Sequence, residues 1–141
     1  MVKSRPHPSP AKSNARRPTT VLVVEDEILI RSAVAEYLRK SGYAVVEAAD
    51  AAEAIGIFAC DEPIDVVMCD VDMPGAMDGL GLARWIKEHD YTLPVLLTSG
   101  GRIALSASKI PADFFIGKPY RLEVLVERLK LMLAARDSAA D

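Results

Sequence analysis

The sequence predicts an α/β, doubly wound fold in which helices cover both faces of a parallel sheet. Short apolar runs rich in β-branched residues alternate five times with segments of helical periodicity, an order that implies right-handed crossovers. Half of the 141 residues are apolar but only 6% are aromatic, which suits a close-packed α/β interior better than an all-β sandwich. The length is sufficient for one compact domain.

The first strand, the first helix and the second strand follow from clear changes of pattern. The unbroken apolar run Val21–Val24 is typical of a strand buried on both faces, and order is expected to begin at Thr20. Apolar residues then recur at nearly helical spacing from Ile28 until Gly42, a residue that can take the left-handed position closing a helix. Tyr43–Ala48 is the second predicted strand.

The middle of the chain repeats the alternation. Asp50 can cap a second helix that runs to about Cys60, and Glu53 can reach back to that cap. Ile64–Cys69 is the third predicted strand, because it is apolar and β-branched apart from Asp65.

The last third of the chain completes the fold. A helix is predicted from Asp78 to His89, strands at Leu93–Leu97 and Phe114–Gly117, and a closing helix from Arg121 to Ala135 with its apolar residues on one stripe. Between Gly100 and Pro111, serines interrupt the apolar positions, so a short or frayed helix is expected there.

Charge is unevenly distributed along the chain. Residues 1–19 contain five Lys or Arg and no Asp or Glu, whereas the remainder contains 12 basic and 20 acidic residues, a formal charge of −8. This acidic body disfavours nucleic acid as the main ligand, since phosphate contacts need a basic face. We therefore expect a disordered basic tail over 1–19, the domain over 20–136 and a flexible C-terminus over 137–141.

Targeting and cysteine patterns indicate a cytoplasmic protein without membrane contact. The sequence has no apolar run long enough to cross a membrane, and no apolar core of a secretory signal follows the N-terminal basic residues. Cys60 and Cys69 lack C-x-x-C spacing and a nearby His, so buried, reduced thiols are expected rather than a zinc site or a disulfide.

Polar residues collect where the predicted strands end. The first, third, fourth and fifth strands are followed, in chain order, by Glu25-Asp26, Asp70, Thr98-Ser99 and Gly117-Lys118-Pro119. Ligands of open parallel sheets bind beyond the carboxyl ends of the strands, so these side chains are expected to converge. Carboxylates close together repel unless a proton or cation intervenes, and all-oxygen ligation favours a hard ion such as Mg²⁺.

This set of residue types suits phosphoryl transfer. With Mg²⁺ present, one carboxylate can act as the nucleophile while a hydroxyl and a lysine hold the oxygens of the incoming phosphoryl group. Asp70 is the best nucleophile candidate, because it ends the most central predicted strand and the following Val71–Gly75 bends the backbone.

In combination, these motifs resemble the receiver domain of two-component response regulators over about Val21–Leu133. The resemblance is carried by the acidic pair, by Asp70 followed by Val71-Asp72-Met73-Pro74, by Thr98 after Pro94-Val95-Leu96-Leu97, and by Lys118-Pro119. It implies a flavodoxin-like, five-stranded parallel sheet of order 2-1-3-4-5. It also implies a phosphorylation-dependent signalling switch rather than an enzyme.

The resemblance implies how the phosphoryl group is received and sensed. Asp70 would accept it from the phosphohistidine of a histidine kinase or histidine phosphotransfer protein, and Thr98 and Lys118 would contact the phosphoryl oxygens. Phe115, three residues before Lys118, matches the family's switch aromatic. Because no output domain follows Leu133, a stand-alone receiver acting on an unknown downstream protein is expected.

The resemblance also implies a metal site. Asp26, Asp70 and the backbone carbonyl of Asp72 would ligate Mg²⁺, and Glu25 would act mainly through water. The loop Gly75–Gly79 is one residue longer than the commonest form in this family, which affects the approach to Asp70.

Two other functions remain open at this point. Asp70-Val71-Asp72 after an apolar strand resembles the D-x-D nucleophile motif of haloacid-dehalogenase-like phosphohydrolases, which would make the protein a true enzyme. That family opens with its D-x-D strand and has a late acidic pair, whereas here the acidic pair comes first.

A second alternative is that the basic tail binds nucleic acid. Such a tail would show strong salt-dependent binding that is lost without residues 1–19. The G-x-x-x-x-G-K-[ST] pattern of P-loop nucleotide enzymes is missing.

Overall fold

Five parallel strands form one sheet in the residues that the computed structural model describes, 17–90, 92–100 and 113–140. The strands are β1 (Thr20–Val24), β2 (Ala44–Ala48), β3 (Val66–Asp70), β4 (Val95–Ser99) and β5 (Phe114–Gly117). They lie in the order β2-β1-β3-β4-β5, and every neighbouring pair is parallel. The predicted doubly wound α/β fold with strand order 2-1-3-4-5 is confirmed.

Helices cover both faces of this sheet. They are α1 (Ile28–Lys40), α2 (Ala51–Ala59), α3 (Gly79–His89) and α4 (Leu122–Ala140). Helices α2 and α3 pack on one face, and α1 and α4 pack on the other. Successive residues of β1 point to alternate faces, so Leu22 lies under α2 and α3 while Val23 lies under α1 and α4. Two buried faces explain why this strand is apolar throughout.

The predicted helix ends are confirmed at several positions. Gly42 follows α1 with φ +102°, the left-handed conformation that favours glycine. The Asp50 carboxylate caps α2 by accepting the Glu53 N–H at 2.9 Å. Glu53 reaches back as expected, but its carboxylate accepts the N–H of Ala49 at 2.7 Å rather than that of the cap residue. Asp78 caps α3 in the same way as Asp50 caps α2.

The predicted boundaries of β3, β4 and the closing helix are wrong. β3 and β4 each begin and end later than predicted, at Val66–Asp70 and Val95–Ser99. Ile64 and Leu93 are apolar because they pack against the core, but they lie before the first residues that pair with a neighbouring strand. The apolar run therefore begins earlier than the strand. The closing helix continues to Ala140 instead of ending near residue 135.

Asp65 joins the two ends of the described chain. Its buried carboxylate accepts two hydrogen bonds from Arg17, at 2.9 and 3.1 Å, and one from the Thr20 N–H at 2.8 Å. Arg136 of α4 donates to the same carboxylate at 3.3 Å. Specific contacts therefore begin at Arg17, inside the predicted tail, and extend into the end of α4, close to the predicted flexible C-terminus.

Some expectations lie outside the described residues or need correction. The predicted tail up to residue 16 and almost all of the predicted helix between Gly100 and Pro111 are not described. Both cysteines are free, but only Cys69 is buried, and Cys60 is exposed at the end of α2 because its position follows the last helical turn. Among the described helices, none combines the length and the apolar character needed to cross a membrane.

Candidate functional site

The pairing of the strands brings the predicted site residues to one edge of the sheet. Val24 is paired with Cys69, and Asp70 with Thr98, so the residues that follow β1 lie beside the end of β3. Ser99 is paired with Gly117, which places Lys118 at the same edge. The predicted convergence of the strand ends is therefore present in the structure.

Three carboxylates meet at this edge. One oxygen from each of Glu25, Asp26 and Asp70 lies within 4.8 Å of the others, and the side chains of Glu25 and Asp70 are buried. Burial raises the pKa of the Glu25 carboxyl above its ordinary value, an effect that the nearby Asp70 charge adds to. The Glu27 N–H and the charge of Lys118 oppose this rise only in part. The cluster is thus a concentrated negative charge.

Among the described residues, Lys118 supplies the positive charge that contacts this cluster. Its ammonium group donates to Asp70 Oδ2 at 3.0 Å and to Glu25 Oε1 at 3.4 Å. Burial lowers the pKa of Lys118, but its bond to Asp70 and the two carboxylate charges outweigh burial and raise that pKa overall. Lysine therefore stays charged, and it balances one of the three carboxylates.

The donor set fits a hard divalent cation. After pairing with one lysine, the cluster keeps an excess of negative charge and offers carboxylate oxygens. Oxygen-only donors of this kind suit Mg²⁺ and disfavour zinc or copper. Asp72, whose carbonyl is the predicted further ligand, has an exposed side chain, and its N–H donates to Asp70 Oδ1 at 3.2 Å.

Gly79 is a positioning residue that the sequence analysis missed. Its N–H donates to the Val71 carbonyl at 3.0 Å, which brings the start of α3 against the backbone that carries Asp70. A Cβ at this position would lie 2.6 Å from Val71 Cα, so only glycine permits the approach. A glycine immediately after the cap Asp78, where alanine would favour the helix, was the available clue.

Thr98 presents an unsatisfied hydroxyl. The residue is fully buried at the end of β4, and its Oγ1 has no hydrogen-bond partner among the residues that the structure describes. A buried polar group without a partner costs about 1–3 kcal/mol.

Phe115 lies on the neighbouring strand. It is paired with Leu97, directly beside the pair of Thr98 and Ile116, and packs partly buried against the core under α2 and α3. The structure thus brings Thr98 and Phe115 onto adjacent strands, as predicted. The switch role of Phe115 stays a prediction.

An apolar cleft beside Lys118 was also not predicted from the sequence. Ile28 and Leu29, at the start of α1, are 62% and 82% exposed. Leu29 borders a cleft of about 580 Å³, whose other wall is formed by Lys118 and Tyr120. Burial raises the pKa of Tyr120 to about 12. Three consecutive apolar residues at 28–30 were the available clue, because one helix face cannot bury all three.

Comparison with known proteins identifies a family that the sequence matches. Residues 21–130 match the model of the family described as response regulator receiver domain. Response regulator MprA of Mycolicibacterium vanbaalenii is 34% identical over 119 residues, which cover 82% of this chain and 51% of that protein. The chain thus spans about half the length of this curated relative.

Solved structures give the same match at the level of the fold. A response regulator receiver protein from Sinorhizobium medicae has a TM-score of 0.78 and 28% identity, covering 84% of this chain and 97% of that one. Response regulator protein TrrA from Thermotoga maritima, solved in complex with Mg²⁺-BeF, has a TM-score of 0.72 and 28% identity, covering 81% of this chain and 98% of that one.

Proposed function

This chain belongs to the response regulator receiver domain family, and from that premise we propose that it is a switch whose phosphoacceptor is Asp70. The observation that carries the proposal is the environment of the Asp70 carboxylate, which is bonded to Lys118 and lies beside two further carboxylates at the end of the central strand. The similarities give no support to a haloacid-dehalogenase-like phosphohydrolase.

In the proposed reaction, an Asp70 carboxylate oxygen attacks the phosphorus atom of a phosphohistidine on a partner protein. The new P–O bond forms as the P–N bond breaks, and the electron pair stays on the imidazole nitrogen, which takes up a proton. Two contacts orient the carboxylate, one from the Lys118 ammonium and one from the Asp72 N–H. A fixed carboxylate loses little orientational freedom on the way to the transition state.

The other site residues have complementary roles in this proposal. Mg²⁺ held by Asp26, Asp70 and the Asp72 carbonyl, with Glu25 acting through water, would supply positive charge that stabilises the transferring phosphoryl oxygens. Lys118, which is bonded to Asp70 and Glu25, supplies a further positive charge. The buried Thr98 hydroxyl donates to a phosphoryl oxygen, which would satisfy its missing hydrogen bond.

The partner that donates the phosphoryl group is proposed to be a histidine kinase or a histidine phosphotransfer protein. Its phosphohistidine must reach Asp70, so its surface has to cover the residues that border the site. The exposed Leu29 and the cleft between α1 and Lys118 offer apolar area at that border. Exposed apolar patches of this kind are typical of protein-binding surfaces.

The test is phosphorylation of variants by acetyl phosphate or by a panel of phosphorylated histidine kinases with Mg²⁺. Asp70→Asn should abolish labelling, because the amide cannot act as the nucleophile. Asp61→Asn, a change of the same size at an exposed position, should label like the parent. Stoichiometric labelling of the Asp70→Asn protein at another aspartate would show that the assignment is wrong.

A further inference from the structure

A groove lies between α2 and α3 at the edge of the sheet opposite Asp70, where the strands begin. Its volume is about 540 Å³, and Ile64 and Leu93, which precede β3 and β4, form its base. Phe58 and Trp85 contribute aromatic walls, with ring centroids 5.8 Å apart. His89 stacks on Trp85 at 4.1 Å and is held by a bond to its carbonyl. The groove therefore offers aromatic surface.

The rim of the groove is acidic. Asp61, Glu62 and Asp90 border it, and all three side chains are exposed. None of them forms an ion pair with a residue that the structure describes. Together, the aromatic wall and the unbalanced negative rim suit a ligand that is positively charged and also carries flat or apolar surface.

The chain itself contains a segment with those properties. Residues 1–16 carry four basic residues, no acidic residue and three prolines at alternate positions. Proline-rich segments bind aromatic-lined grooves at low entropic cost, because their backbone is already restricted. Arginine and lysine also bind favourably to aromatic faces and to carboxylates.

This segment leaves the domain at the same edge of the sheet as the groove. Arg17 is fixed by its two hydrogen bonds to Asp65, and Ile64, the residue before Asp65, lines the groove. Sixteen residues can extend over about 50 Å, so the segment is long enough to run along the groove. A short tether gives an effective concentration of about 1 mM, at which weak contacts are populated.

The geometry points to intramolecular docking of residues 1–16 in the groove between α2 and α3. The occupant is identified by charge complementarity, by its proline content and by the place where it is tethered. This inference does not depend on the phosphoacceptor assignment, because the groove and Asp70 lie at opposite edges of the sheet.

The experiment uses Trp85, the single tryptophan of the chain, as a probe inside the groove. Acrylamide quenching and the emission maximum are compared between the full chain and a truncation that begins at Arg17. Truncation is expected to increase quenching and shift the emission to the red. Salt at 1 M, where the screening length is about 3 Å, is expected to produce part of the same change in the full chain.

A charge variant and a matched control identify the groove as the site. Neutralising the rim with Asp61→Asn, Glu62→Gln and Asp90→Asn should make the full chain behave like the truncation. Neutralising three exposed acids on the other face, with Glu36→Gln, Glu123→Gln and Glu127→Gln, should have no effect. Equal effects of the two triple variants would overturn the proposal.

A second measurement does not require truncation. A nitroxide can be attached to Cys60, which is exposed next to the groove, whereas burial raises the pKa of Cys69 and protects it. Amide signals of residues 1–16 should broaden, and the broadening should be independent of protein concentration. Absence of broadening, or broadening that grows with concentration and so reports a second copy, would contradict intramolecular docking.

Discussion

In the absence of a ligand, the carboxylates of the site repel one another. Glu25, Asp26 and Asp70 carry like charges within 4.8 Å, and Lys118 compensates only one of them. Burial of Glu25 and Asp70 limits the screening of this repulsion by solvent. A divalent cation bound at this site would relieve the repulsion, so metal affinity and folding stability would be linked.

Replacement of Asp26 should change metal affinity and folding stability in different ways. Asp26→Asn should weaken Mg²⁺ binding, because one carboxylate of the proposed set is lost. The stability without metal should rise or stay unchanged, since less like charge remains. Calorimetric titration with Mg²⁺ and urea unfolding in a chelator measure the two effects. Metal affinity equal to that of the parent would remove Asp26 from the ligand set.

At the scale of secondary-structure elements, the approach of α3 to β3 determines where Asp70 is held. Gly79→Ala would place a Cβ against the Val71 backbone, so the start of α3 or the loop before it has to move. We expect a loss of about 1–3 kcal/mol in unfolding free energy and slower phosphorylation. Gly56→Ala is the matched control, because a Cβ there meets nothing within 4 Å. Alanine at that position of α2 should stabilise the protein by about 0.5–1 kcal/mol.

We propose that phosphorylation causes a conformational change that passes from β4 to the neighbouring strand β5. If the Thr98 hydroxyl moves to a phosphoryl oxygen, space opens behind it and Phe115 on the adjacent strand can turn inward. Beryllofluoride with Mg²⁺ should therefore shift amide signals on β5 and α4 as well as those around Asp70. The distant shifts should shrink in Phe115→Ala. Shifts confined to the site in the parent protein would show that this coupling does not operate.

At the scale of the whole molecule, the two ends of the described chain meet at one buried carboxylate. Arg17 and Arg136 both bind Asp65, on the edge of the sheet opposite Asp70. Burial alone would raise the pKa of Asp65, but the bonds from Arg17 and the Thr20 N–H, with the two guanidinium charges, lower it below the ordinary 3.8. The ionised form is therefore favoured in the folded protein.

The pH dependence of stability follows from that direction. Since the folded pKa lies below the unfolded one, Asp65 contributes stability that is fully present well above pH 3.8 and is lost as the pH falls through the folded pKa. Asp65→Asn should lower stability at pH 7 by about 2 kcal/mol, as expected for lost bonds to charged groups. It should also flatten the acid limb of the stability curve. Urea unfolding between pH 7 and strongly acidic pH tests this, with Glu127→Gln, a change at an exposed acid outside the groove, as the control. An unchanged acid limb would contradict the linkage.

The order of the elements and the convergence of the site residues could both be predicted from local sequence patterns. Burial on both faces makes β1 uniformly apolar, and a one-sided core contact gives α1 its helical periodicity, so both are visible in local patterns. Because parallel strands end at the same edge, the positions of Asp70, Thr98 and Lys118 after their strands were enough to predict convergence.

Features that join distant parts of the chain became visible only in the three-dimensional structure. The start of β3 depends on pairing with β1 rather than on apolar character, and the need for glycine at Gly79 depends on a backbone that passes close to it. The bond between Arg17 and Asp65 joins residues 48 positions apart, and the groove at Trp85 exists only where two helices flank one sheet edge. Local patterns record which side of an element is buried, but they do not record which partner buries it.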